Sequence, residues 1–207
     1  MRKLSKLSIL VGIIAAFAFT GCQQPREDTT LNNNRNLNEN RGAAFQADTA
    51  QTGMNMNATK AVAVVHSTDG NISGWVTFTK ASDGVRVHAE LKGLSEGEHG
   101  FHVHQYGDCR ADDFSSAGGH YNPDNEKHGA PTDSIRHMGD MGNISTDGTA
   151  TMDYVDHVIN IDQIIGRAII VHKGEDDLTS QPSGDAGPRV ACGVIGLANE
   201  DFDNNNM

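Results

Sequence analysis

Ten histidines stand in this chain of 207 residues, and their spacing is what chemistry could use. His102 and His104 flank Val103 in a strand-like segment, so a period of two turns both imidazoles to one face and sends Phe101 and Val103 to the other. Two ring nitrogens then converge on one point. His120, His128, His137 and Asp140 follow in a stretch with little regular pattern, and His172 ends the apolar run 167–171. These seven are candidate metal ligands. His66, His88 and His157 read instead as ordinary polar side chains, and His99, between Gly97 and Gly100, as a hydrogen-bond partner of the backbone.

The ligand types suggest two kinds of ion. Four imidazoles suit Cu(II), whereas three imidazoles and one carboxylate suit tetrahedral zinc. Seven residues complete two sets of four only if one is shared, and a deprotonated imidazole can offer a nitrogen to each of two metals.

Short strands must position these groups. Segments 60–66, 74–79, 85–91, 100–104, 149–155, 167–172 and 192–197 alternate apolar and polar residues between turn signals, and no helical period competes. Asp69-Gly70-Asn71, Ser82-Asp83-Gly84 and Thr146-Asp147-Gly148 mark tight turns. The expected class is all-β, a sandwich or flattened barrel. Two stretches, 105–143 and 173–190, break this rhythm, and long loops in compact domains usually carry function.

The ends of the chain read differently. Arg2, Lys3 and Lys6 precede an apolar run over 7–19 that is short for a bilayer span, which predicts a signal peptide over 1–21. It stops at Phe19-Thr20-Gly21-Cys22, which resembles the lipobox of bacterial lipoproteins, with Phe19 where leucine is usual. Cys22 is therefore the expected lipidation site, and a membrane would be met only through that N-terminal lipid. Residues 22–57, rich in asparagine, read as a disordered tether, 58–198 as the folded domain, and 199–207 as a flexible tail.

Cleavage before Cys22 removes three positive charges and leaves 13 Lys and Arg against 27 Asp and Glu, a balance that argues against nucleic acid as a partner. It also leaves an even pair of thiols. With Cys22 in a thioether, Cys109 and Cys192 remain to form a disulfide, as an oxidising compartment favours.

Six segments carry a resemblance: GFHVHQYGD at 100–108, SAGGHYNP at 116–123, KHG at 127–129, RHMGDMGN at 136–143, IGRAIIVH at 165–172 and RVACGVIG at 189–196. Together they resemble the Cu/Zn superoxide dismutases over residues 60–197. The resemblance implies an eight-stranded Greek-key β-barrel or sandwich with two long functional loops. It implies copper on His102, His104, His120 and His172, and zinc on His120, His128, His137 and Asp140, with His120 as bridge and a second, proton-carrying role. Asp176 matches the carboxylate that links His102 to His128, and Arg189 the arginine that guides the anionic substrate, superoxide.

Two features depart from the eukaryotic pattern. Cys109 directly follows Asp108, which looks like the bacterial branch, and the segment 178–188 is short and has no lysine. The expectation is an exported enzyme of the periplasm or cell envelope, anchored by its lipid and serving antioxidant defence. Tyr106, Gly107, Ile165, Gly166, Val194 and Leu197 resemble the eukaryotic dimer face, and both a homodimer and a monomer stay open. The rival reading is an exported metal buffer on the same scaffold, but a buffer needs neither a complete copper set nor an arginine beside it.

Overall fold

The computed structural model describes residues 57–202; the expected signal peptide, Cys22, the expected tether before Asn57 and the expected tail beyond Phe202 lie outside the described residues. Eight strands are present: β1 Lys60–His66, β2 Ser73–Lys80, β3 Val85–Lys92, β4 Gly97–His104, β5 Asp140–Thr146, β6 Thr149–Asp156, β7 Ala168–His172 and β8 Arg189–Leu197. They close into a barrel in the order β1-β2-β3-β6-β5-β4-β7-β8, every pairing antiparallel. Non-sequential neighbours β3–β6 and β4–β7 give the Greek-key connectivity.

Seven strands fall where the alternation placed them, to within a few residues. The eighth does not. β5 begins at Asp140, inside the stretch expected to be loop up to residue 143, so the loop spans only 105–139. Its opening residues, Asp140, Met141, Gly142 and Asn143, include poor strand formers, and the first three are buried, so no alternation marks it. The second loop likewise ends at 188, because Arg189 and Val190 already belong to β8. Residues 199–202, expected to be frayed, are tied to β1: the Lys60 ammonium donates to the Phe202 carbonyl at 2.7 Å.

The barrel interior is filled by Phe78, Val87, Leu91, Phe101, Ile144, Ile169 and Ile195, among others. A smaller apolar cluster of Phe114, Ala117, Ala168, Ile170 and Cys192 lies beneath the first loop. This explains β7. Ile169 and Val171 face the interior and Ala168 and Ile170 the second cluster, so an unbroken apolar run is buried on both faces.

Two irregularities in the ladders sit at ligand positions. The β4–β5 register shifts between Gly100 and His102, and the β7–β8 register between Val171 and His172. Bulges bend a strand and re-aim the side chains beside them. The disulfide of Cys109 with Cys192, Cα atoms 5.9 Å apart, fastens the first loop to β8 across 83 residues.

Candidate metal centre

Adjacent strands and loops bring all seven candidate ligands together, buried, in two groups that share His120: His102, His104, His120 and His172, and His120, His128, His137 and Asp140. Within each group the ligand atoms lie within 4.8 Å of one another.

Hydrogen bonds decide which nitrogen each ring leaves free. His104 Nδ1 donates to the Gly118 carbonyl at 2.8 Å and His172 Nδ1 to the Gly187 carbonyl at 2.9 Å, so both keep a lone pair on Nε2. His102 is turned the other way: its Nε2 donates to Asp176 Oδ2 at 2.7 Å, which leaves Nδ1. Those free atoms, His102 Nδ1, His104 Nε2 and His172 Nε2, are buried with no hydrogen-bond partner, as are His120 Nε2 and His128 Nδ1. Buried polar atoms without partners are rare, and five converging on two points fit metal ions that would complete them. A copper ion suits the four-imidazole set and zinc the other.

Charge follows the same division. Burial pushes His102 down to about 3 and His172 to about 4, and lowers His104 and His120 as well, so the first set offers neutral lone pairs at pH 7. His128 goes the opposite way. Burial opposes its charge, but the neighbouring carboxylates of Asp140 and Asp176 outweigh that and raise it to about 9. Three imidazoles hold Asp140 below the usual carboxylate range despite its burial. Its Oδ1 lies 2.8, 3.0 and 3.1 Å from Nδ1 of His120, His128 and His137, while Oδ2 accepts the backbone N–H of Gly129 and of His137. A fixed anion ringed by three imidazoles is a seat for a cation.

Asp176, fully buried, spans the two sets. Oδ2 takes His102 Nε2 and Oδ1 takes His128 Nε2, at 2.7 and 2.9 Å. Gly184 makes this approach feasible: at φ +68°, it would place an added Cβ 1.7 Å from Asp176 Oδ1.

Arg189 closes the constellation. It pairs with His172 across β7 and β8, and its guanidinium donates to the carbonyls of Phe114 and Gly118 at 2.5 Å each. With His104, His120 and His172 it lines a cavity of about 520 Å³ whose other walls include Gln105, Asn122, Asn125 and Ser183. No lysine lines it. His99 lies 2.9 Å from the backbone carbonyls of Ser95 and His172, and His66 and His157 stay outside the cluster.

Several contributors carry no signal in side-chain type. The carbonyls of Gly118 and Phe114 are backbone. Asn143 brackets the Asp176 backbone with bonds of 2.8 and 2.7 Å. Arg136, buried against Asp156 at 2.6 Å, also donates to the His137 carbonyl at 3.0 Å. Its place beside a ligand was the only hint available.

Residues 72–195 match the family described as copper/zinc superoxide dismutase (SODC). The chain is 45% identical over 152 residues to an extracellular superoxide dismutase [Cu-Zn] of Brugia pahangi, covering 67% of this chain and 76% of that one. It is 44% identical over 146 residues to an extracellular superoxide dismutase [Cu-Zn] of Drosophila melanogaster, covering 64% and 80%. A crystal structure of the clock protein EA4 superposes with a TM-score of 0.63 at 41% identity, covering 68% of this chain and 96% of that one.

Proposed function

The chain belongs to the copper/zinc superoxide dismutase family and dismutes superoxide with copper and zinc as cofactors, and we propose which of its residues divide that work. His102, His104, His120 and His172 would hold copper, and His120, His128, His137 and Asp140 zinc, with His120 between them. Bound copper supplies a one-electron redox couple, and bound zinc a redox-inert positive charge.

The protein's own groups handle an anion and its protons. One superoxide gives up an electron and leaves as oxygen; a second takes an electron and two protons and leaves as hydrogen peroxide. Arg189 attracts each superoxide into the cavity and holds it beside the copper set, its guanidinium kept from swinging away by the two carbonyls. His120 Nε2 is the atom at which we place the proton carried to the second superoxide. Its ring stays oriented through Nδ1, 2.8 Å from Asp140.

The observation that carries this reading is the set of five buried ring nitrogens aimed at two points with an arginine at the cavity wall. Purifying the protein from cells supplied with copper and zinc, then measuring metal content and superoxide decay, tests it. Two metals per chain without dismutation beyond that of free copper would favour the metal buffer.

We also propose that the enzyme works outside the cytoplasm, as an envelope lipoprotein held through Cys22. The relatives' extracellular names and the pairing of Cys109 with Cys192 support export, and the lipobox-like end of the apolar run supports the anchor. Labelling with a radioactive fatty acid should mark the protein, and Cys22→Ser should release it from membranes; an unlabelled chain recovered in the soluble fraction removes the anchor.

A further inference from the structure

Gln181 lies in the loop between β7 and β8, and its carboxamide faces the main chain of His128. Oε1 accepts the His128 N–H at 2.9 Å and Nε2 donates to the His128 carbonyl at 2.9 Å. The two bonds imitate a pair in a β-ladder, and they satisfy both backbone polar groups of a buried residue that no strand serves. Asp176, from the same loop, grips the ring of that residue through Nε2. His128 is therefore held twice, by main chain and by ring, and what remains is Nδ1 directed toward Asp140 at 3.0 Å. Pro182 and Ser183, next along the loop, line the cavity beside the copper set.

We propose that Gln181 is a positioning residue for the zinc set, fixing the main chain of His128 so that its ring nitrogen meets the ion, and by the same bonds fixing the cavity wall that Pro182 and Ser183 form. The inference rests on the zinc assignment above. A ring aimed only by Asp176 could pivot with its backbone; a backbone held by an amide fork cannot. Gln181 itself is exposed, so replacing it leaves the barrel core intact.

The test compares the wild-type protein with Gln181→Ala, Gln181→Glu and, as a control at the neighbouring exposed position, Ser180→Ala. Three quantities are read: exchange of the His128 amide in the metal-free protein, the rate of zinc release to a chelator, and the visible ligand-field bands of Co(II) placed in the zinc set. In Gln181→Ala the His128 amide should lose protection, zinc should leave about tenfold faster, and the Co(II) bands should shift, as expected when a group orienting a metal ligand is lost. Gln181→Glu keeps the acceptor and loses the donor, and should fall between. Ser180→Ala should match wild type. Wild-type zinc release and Co(II) bands in Gln181→Ala overturn the proposal. A wild-type protein that takes up no zinc overturns the underlying assignment instead, and the amide exchange, read without metal, tells the two failures apart.

Discussion

Arg189 and His104 donate to one and the same oxygen, the carbonyl of Gly118, at 2.5 and 2.8 Å. A copper-set imidazole and the cavity's guanidinium are thus set by a single backbone atom. Gly118 has φ +76°, and an added Cβ would meet Gln105 Oε1 at 2.7 Å, so the residue that offers this carbonyl has little freedom to change.

Arg189→Ala should slow dismutation about tenfold or more, since local positive potential raises the rate of capture of a small anion. Metal content should not change, because Arg189 touches carbonyls and no ligand nitrogen. The rate of the variant should also depend less on ionic strength. Loss of copper in the variant would show that the arginine serves the ligands instead.

Asp176→Asn should weaken zinc binding about 10- to 100-fold, the usual effect of removing a carboxylate that orients a ligand. An amide offers one oxygen where His102 and His128 each need one, and turns a donor toward the other ring. Competition with a zinc chelator measures it; unchanged affinity would mean that Asp176 is a spectator.

Gly184→Ala should be harsher than its size suggests. The methyl would overlap Asp176 Oδ1, and φ +68° costs a non-glycine residue about 1–3 kcal/mol on its own. Both zinc retention and melting temperature should fall. A variant that melts as wild type contradicts the close approach of Gly184 to Asp176.

Cys109→Ser opens a covalent loop across 83 residues, and the chain-entropy account assigns such a closure on the order of 4 kcal/mol. Urea unfolding should show a loss of that order, together with a mobile Arg189, because the first loop also supplies the Phe114 and Gly118 carbonyls.

The metal-free protein should lose stability as pH falls from about 6.5 to about 4. Folded His102 and His172 sit near 3 and 4, below the ordinary 6.5, so in that window the unfolded chain binds more protons. His128 has the opposite sign, but its contribution is already complete below 6.5. Melting temperatures at pH 7 and pH 5 measure the difference, and equal values would refute it.

Side-chain type and spacing made the ligands visible in the sequence: alternation placed His102 and His104 on one face, and the turns bounded most strands. β5 was hidden because Gly142 and Asn143 are weak strand formers and its buried start follows the zinc-set loop without a turn signal. The supports of the site were hidden for another reason. Gly118 acts through its carbonyl, and Gln181 and Asn143 through contacts across 53 and 33 residues, none of which leaves a periodic trace.

The register shifts beside His102 and His172 have a consequence for how such a centre could be altered. Each imidazole's aim is written into the count of backbone hydrogen bonds on either side of it. Moving a bulge by one position would turn the ring away while leaving every ligand in the sequence, so inserting or deleting one residue in β5 or β8 is a way to retune the centre without touching its histidines.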